Sequence, residues 1–204
     1  MKLLELFSGT KSVGKVAEQL GYEVISLDLK DADVNCDILE WDYTIYPTGY
    51  FDVIWASPPC TEYSKAKSRG VRNIEEANKI VLRTLEIIEY YNPTYYIVEN
   101  PQTGLLKEQW FMYGLPYKDI DYCKYGMPYR KRTRLWNNVF NWTPRPLCKR
   151  DCGSMDISGK RHITIAQQSP NKTSKSNNQI WSYQTSQLYV IPSGLIYEIF
   201  ECME

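Results

Sequence analysis

A chain of 204 residues fits one domain, at about 100–200 residues per domain, with room for at most a small appendage. Its 24 Lys+Arg balance 24 Asp+Glu, which excludes a histone-like polycation and an acidic tail protein and leaves any nucleic-acid contact to a local basic surface. The 43% hydrophobic share argues against disorder, and the 14% aromatic share, carried by 17 Tyr and 6 Trp, suits base stacking and interfaces as well as a core.

The first strand is expected over Lys2–Phe7, followed at once by Ser8-Gly9-Thr10-Lys11 and a helix from Ser12 to Leu20. Val13, Val16, Ala17 and Leu20 recur at helical spacing, and Gly21 ends the helix. Glu23–Asp28 alternates as a second strand. Phe51–Ala56 reads as a third, buried strand that runs into Ser57-Pro58-Pro59-Cys60, and the polar stretch 61–73 is a loop. Glu75–Tyr91 carries an apolar stripe of Ala77, Ile80, Val81, Leu85 and Ile88, and Asn92-Pro93 stops it. A fourth strand, Tyr95–Val98, ends in Glu99-Asn100-Pro101. After Gly126 the pattern weakens: Arg130–Arg134 is a basic run into Leu135-Trp136, and 148–178 reads as loop or a small irregular lobe. Pro192 starts a terminal helix that reaches Phe200.

Strands alternating with helices imply an α/β fold: a Rossmann-like, doubly wound, mostly parallel sheet with helices on both faces, plus a small irregular lobe. Functional residues of such sheets collect beyond the carboxyl ends of the strands, where the unusual segments of this chain fall. The expected organisation is a core of residues 1–140 plus 187–204 and an insert lobe of 141–186. No apolar run approaches the roughly 18–20 residues of a membrane span, and the N-terminus does not read as a signal peptide. Six scattered cysteines are expected as free thiols in a reducing, cytoplasmic compartment.

The turn around Gly9 between a strand and a helix is either a plain tight turn or a cofactor loop. Asp28, at the end of the second strand where a carboxylate can hold ribose hydroxyls, and Asp37 favour the cofactor loop. The spacing fits neither the dinucleotide glycine motif nor the P-loop. Two successive prolines stiffen the turn before Cys60 and display its thiol at the sheet edge, whereas a buried structural cysteine is the plainer role of a free thiol. Reactive thiols need nearby cations, and Lys65, Lys67, Arg69 and Arg72 follow, unless those serve a nucleic-acid backbone instead. Glu99, on the tip of the neighbouring strand, brings a carboxylate beside Cys60.

Leu4–Gly14, Ser57–Cys60 with Ser64, Glu99–Pro101 and the Arg130–Arg134 run occur in the order of the DNA (cytosine-5)-methyltransferase motifs: the cofactor loop, Pro-Pro-Cys, Glu-Asn-Val and Gln-x-Arg-x-Arg. The chain resembles that family over residues 1 to about 140 and again at Ile191–Phe200. It departs from it in Pro101 for Val, in Tyr129 near the place of the Gln, and in a recognition region of only about fifty residues, Asn137–Ser186. The resemblance implies methylation of cytosine C5 in DNA with S-adenosylmethionine as donor, on a base flipped out of the duplex. It implies Cys60 as nucleophile, Glu99 as hydrogen-bond partner of the base, and Arg132 and Arg134 as steadying groups for base and carboxylate. Phe7, Ser8, Gly9, Thr10, Asp28, Asp37 and Pro58 form the implied cofactor set, with ring packing from Phe7, close backbone approach at Gly9, ribose at Asp28 and adenine at Asp37. Methylation of tRNA by the same chemistry, amino-methylation, and a catalytically weak partner subunit stay open, as does a separate specificity partner.

The insert carries Cys148, Cys152 and His162, with Cys123 as a conceivable fourth ligand, at no standard zinc-finger spacing. Unliganded residues are the plainer reading, and no metal is expected. Lys149, Arg150, Lys160, Arg161, Lys172 and Lys175 with Trp181 and Tyr183 form a basic, aromatic mixture that suits a solvated surface or nucleic acid. The small size suggests a bacterial, phage or viral setting, in the cytoplasm of the host cell.

Overall fold

The computed structural model describes residues 1–67, 70–166 and 188–203. Seven strands form one sheet: β1 (Lys2–Leu6), β2 (Glu23–Asp28), β3 (Val34–Asn35), β4 (Val53–Ala56), β5 (Tyr95–Pro101), β6 (Tyr117–Asp121) and β7 (Arg132–Asn137). Their order is β3-β2-β1-β4-β5-β7-β6. The first five strands are parallel, while β7 runs antiparallel to both β5 and β6. Order reverses between β1 and β4, and such a switch point opens a crevice at the carboxyl ends of the strands. The expected Rossmann-like sheet is present.

Side chains alternate across a strand, so each strand feeds two cores. Leu3, Val53, Trp55, Ile97 and Leu135 pack under α1 (Ser12–Gln19) and α3 (Ser193–Phe200). Leu4, Leu6, Ile54, Ala56, Val98 and Trp136 pack on the other face under α2 (Ile74–Tyr91). Asn73 caps α2 by accepting the Glu76 amide, and Asn92 ends it in the left-handed conformation. Its buried stripe is Ala77, Val81, Thr84, Ile87, Ile88 and Tyr91, so the apolar face sits slightly round from the expected one, with Ile80 and Leu85 on its half-buried flank.

Three strands escaped the sequence reading: the two-residue β3, β6 and β7. β6 and β7 are rich in charge, yet the charges face each other: Asp119 lies opposite Arg134, and Asp121 opposite Arg132. Both pairs are forked, at 2.7 and 2.9 Å for Arg134 and at 3.1 and 2.8 Å for Arg132. What reads as a basic run is half of a cross-strand ladder. Trp142, placed with the insert lobe by the sequence, is buried in the α1/α3 core and donates to Glu198. Among the described residues no helix is long and apolar enough to cross a membrane.

Candidate active site

Sequence first requires the chain to turn sharply from β1 into α1, and it does so through three left-handed residues, Phe7 (φ 59°), Gly9 (φ 47°) and Lys11 (φ 54°). Left-handed backbone costs a non-glycine residue roughly 1–2 kcal/mol, and such strain persists where surrounding contacts hold it. The holding contacts are visible. The Ser8 amide donates to Leu27 O, and the Gly9 amide donates to Asp28 Oδ2 at 2.8 Å, so the loop is tied to the end of β2. Lys11 offers no side-chain cap to α1. Glu5 on β1 takes that role from below, accepting from the Val13 amide at 3.2 Å and the Gly14 amide at 3.0 Å. Burial pushes the Glu5 carboxyl up to about 7, against the opposing pull of those amides and Lys11.

Beyond this loop lies a cavity of about 400 Å³ at the switch point. Phe7, Ser8, Gly9, Thr10, Asp28, Asp37, Pro58, Cys60 and Glu99 all line it. Asp33 does not, because its carboxylate is occupied by the amide and hydroxyl of Ser26. The Ser8 hydroxyl is buried without a partner among the described residues, which leaves a polar atom for a bound molecule to satisfy. An acidic residue at the end of β2, a backbone turned to permit close approach and an orphaned hydroxyl fit a nucleoside-type cofactor.

Beside the β1–α1 loop, β4 and β5 bring Cys60 and Glu99 to the cavity. Asn100 is fully buried and donates through Nδ2 to Pro58 O at 2.9 Å, clamping the Pro-Pro turn that presents Cys60. Its neighbour Glu99 points to the opposite face, is buried, and accepts from the Tyr122 hydroxyl at 3.1 Å. Burial, and secondarily the Glu99 charge, push the Cys60 thiol above its ordinary range, while Lys131 pulls it down. Lys131 Nζ is 3.7 Å from Glu99 Oε1, lines the cavity, and also donates to Leu188 O.

The expected arrangement of cations needs correction. Arg132 and Arg134 neither line the cavity nor reach Glu99, since Asp121 and Asp119 hold them. Strand geometry is the reason. Glu99 lies opposite Leu135 on the antiparallel neighbour, so its face receives Lys131, Thr133 and Leu135, and the arginines fall on the other. If Tyr129 takes the place of the family's Gln, Lys131 and Thr133 take those of its two arginines. Among the described residues, the cations of the loop after Cys60 are engaged elsewhere. Lys65 pairs with Glu108, Lys67 pairs with Glu62, and Arg72 donates to three loop carbonyls. Arg69, Lys172, Lys175, Trp181, Tyr183 and Ser186 lie outside the described residues. Sequence reading missed Glu5, Tyr122 and Lys131; only strand parity, once β7 is known, singles out Lys131.

Residues 1–109 match the sequence profile of the C-5 cytosine-specific DNA methylases. A "Probable DNA (cytosine-5)-methyltransferase" of Frog virus 3 (isolate Goorha) is 35% identical over 221 aligned residues, covering 98% of this chain and 99% of the viral protein. The chain belongs to the C-5 cytosine-specific DNA methylases. The methylase also shares its fold with solved structures at low identity. A putative DNA modification methyltransferase encoded within an E. coli prophage aligns with TM-score 0.53 at 15% identity, over 72% of this chain and 52% of that one. The Entamoeba histolytica methyltransferase EhMeth aligns with TM-score 0.55 at 18% identity, over 72% and 56%. The methylase thus spans about half the length of these structures. The methyl donor of the family is S-adenosylmethionine, and the loop, Asp28 and Ser8 are the groups that fit it.

Proposed function

We propose that the protein methylates C5 of cytosine in DNA through a covalent bond to Cys60. The observation that carries this reading is the meeting of Cys60 and Glu99 in one cavity with the whole expected cofactor set. C5 of cytosine is a poor nucleophile unaided. Addition of the Cys60 thiolate to C6 forms an S–C6 bond, opens the C5–C6 double bond and places its electron pair at C5. S-adenosylmethionine supplies an electrophilic sulfonium methyl for that carbon. Loss of the C5 proton to a base then re-forms the double bond and expels the thiolate.

Each site residue has a matching task. Glu99, with Oε1 held by Tyr122, hydrogen-bonds N3 and the exocyclic amine of the base and stabilises the adduct. Lys131 offsets the charge of Glu99 and favours the Cys60 thiolate, the task first expected of Arg132 and Arg134. Asp28 holds the cofactor ribose, Asp37 its adenine, and Phe7 packs on it, with Ser8, Gly9, Thr10 and Pro58 shaping the pocket. The cytosine must leave the duplex to reach a cavity at the sheet end. The short segment 141–186 serves recognition, with a partner chain where longer sites are read. The likeness to a viral protein supports action inside a host cell.

DNA containing 5-fluorocytosine tests this directly. Fluorine at C5 cannot leave as a proton does, so a stable adduct on the Cys60 peptide should accumulate with S-adenosylmethionine present. An adduct that persists in Cys60→Ser would overturn the assignment of the nucleophile.

A further inference from the structure

Past the carboxyl end of β6, a second chemical cluster has formed from three separate segments. The turn Tyr122–Tyr125 after β6 supplies Cys123. The loop after Trp142 supplies Cys148 and Cys152. A tight hairpin, in which Met155 bridges His162 and Ile163 donates to Ser154 O, supplies the chain's single histidine. The Sγ atoms of Cys123, Cys148 and Cys152 and a ring nitrogen of His162 all lie within 4.8 Å of one another, and Cys148 Sγ is 3.5 Å from His162 Nε2. A tetrahedral zinc ion with Zn–S near 2.3 Å and Zn–N near 2.0 Å needs ligand atoms roughly 3.5–3.8 Å apart, so a slight contraction would seat one.

The surroundings are built to hold thiolates. Arg150 adopts a left-handed conformation (φ 71°), and its amide donates to Cys148 Sγ at 3.3 Å. Asp121, already forked to Arg132, also accepts from the Cys148 amide at 2.9 Å and so fixes that ligand from behind. Lys124 binds Asp151 at 2.7 Å and pins the loop between the two cysteines. Three thiolates and one divalent ion leave a net charge of −1. Lys124, Arg130, Arg132 and Arg150 all lie close enough to the cluster to act on its members electrostatically.

Apolar burial does not hold this hairpin down. Ile157, Ile163 and Ile165 are exposed, and the hairpin's visible ties to the core are Ser154 to Met127 O and Thr164 to Pro128 O. A segment without its own core needs another clasp, and a metal provides one. We infer that Cys123, Cys148, Cys152 and His162 bind one structural zinc ion that clasps the insert to the catalytic sheet. Three soft sulfur ligands with one imidazole select zinc over magnesium or calcium, and four protein ligands leave no open position for catalysis. The clasp closes one residue from Tyr122, whose hydroxyl supports Glu99, so the insert is fixed relative to the reacting carboxylate.

Metal analysis of the full chain, purified under reducing conditions without chelator, tests the inference independently of any methyl transfer. About one zinc per chain is expected. Exchange with cobalt(II) should give sulfur-to-cobalt charge-transfer absorption and the strong visible bands of a tetrahedral site. Cys152→Ser and His162→Ala should each weaken retention against a competing chelator more than tenfold, whereas Cys202→Ser should not. Removing the metal should open 149–163 to protease while S-adenosylmethionine binding persists. Wild-type protein that is folded, holds no zinc and gives no tetrahedral cobalt spectrum would overturn the inference, as would a disulfide within the trio; the wild-type spectrum decides even if a variant fails to fold.

Discussion

Glu5 should make the stability of the cofactor loop depend on pH near neutrality. Its carboxyl is 3% exposed and titrates at about 7 in the folded protein, against an ordinary value of 4.5. At about 1.36 kcal/mol per pH unit, that interval corresponds to about 3 kcal/mol. An acid whose value is raised by folding binds its proton more tightly in the native state. Its contribution is therefore fully present below pH 4.5, declines as pH rises, and is lost once pH passes about 7. Glu5→Gln keeps an acceptor for the Val13 or Gly14 amide but removes the titration. Urea unfolding of both proteins between about pH 4.5 and 8.5 isolates the effect, because every other titrating group cancels in the difference. The variant should gain about 3 kcal/mol relative to wild type across that range. Parallel profiles would mean that the amides of α1 hold an ionised Glu5 after all, and that burial does not dominate this site.

Further outcomes follow from the same geometry. Alkylation of Cys60 by iodoacetamide should rise with pH through and beyond the ordinary thiol range, because burial raises this thiol. Glu99→Gln removes a nearby negative charge and should move that profile to lower pH while methyl transfer collapses, whereas Lys131→Gln should move it to higher pH; peptide mass spectrometry reads both, and a shift in the same direction for both would refute the charge triangle. Asp28→Ala should weaken S-adenosylmethionine by about 1.5–3 kcal/mol, read by calorimetry, since a charged hydrogen-bonding group and the tether on Gly9 are lost together. Genome-wide methylation mapping should return a context of about two to four base pairs from the chain alone, the amount one small lobe can read; a strict site of six or more would require a partner or refute the small lobe.

Much of this architecture was legible because the parallel half of the sheet writes itself in apolar periodicity. Val13, Val16 and Ala17 repeat at helical spacing, and Val53–Ala56 is a continuous buried run, so α1 and the strand before Cys60 could be located within a residue or two. The antiparallel half hid for the opposite reason. In β6 and β7 the buried Ile120, Leu135 and Trp136 are interleaved with ion pairs and with Arg134 laid 3.5 Å over the Tyr117 ring, so the charges mask the apolar pattern. That Phe7–Thr10, Asp28, Asp37 and Pro58 meet in one cavity was legible since they sit at strand ends, where turn chemistry marks them. Cys123 was not tied to Cys148 by spacing, because β7 carries the chain to the far end of β6 and only the segment 138–147 returns, with Arg145 bonded to Tyr125 and Lys124 beside Cys123.

A strand motif states residue types, but the pleat decides what each residue does. Glu99 and Asn100 are adjacent, equally buried and polar, yet one faces the cavity and the other grips Pro58 on the far side. The antiparallel neighbour must match that pleat, so the residues sharing a face with Glu99 are set by the register Glu99–Leu135 and not by which side chains are arginine. A basic run such as Arg130-Lys131-Arg132-Thr133-Arg134 therefore divides into two functions by parity alone. Its even positions 132 and 134 brace the edge of the sheet through Asp121 and Asp119, while Lys131 meets the carboxylate. Parity thus puts the arginines of β7 on one face and Lys131, just before it, beside Glu99 on the other. A substitution at Arg132 or Arg134 acts on the sheet edge and on the Asp121 that backs Cys148, whereas one at Lys131 acts on charge beside Cys60, and neither reaches the other face.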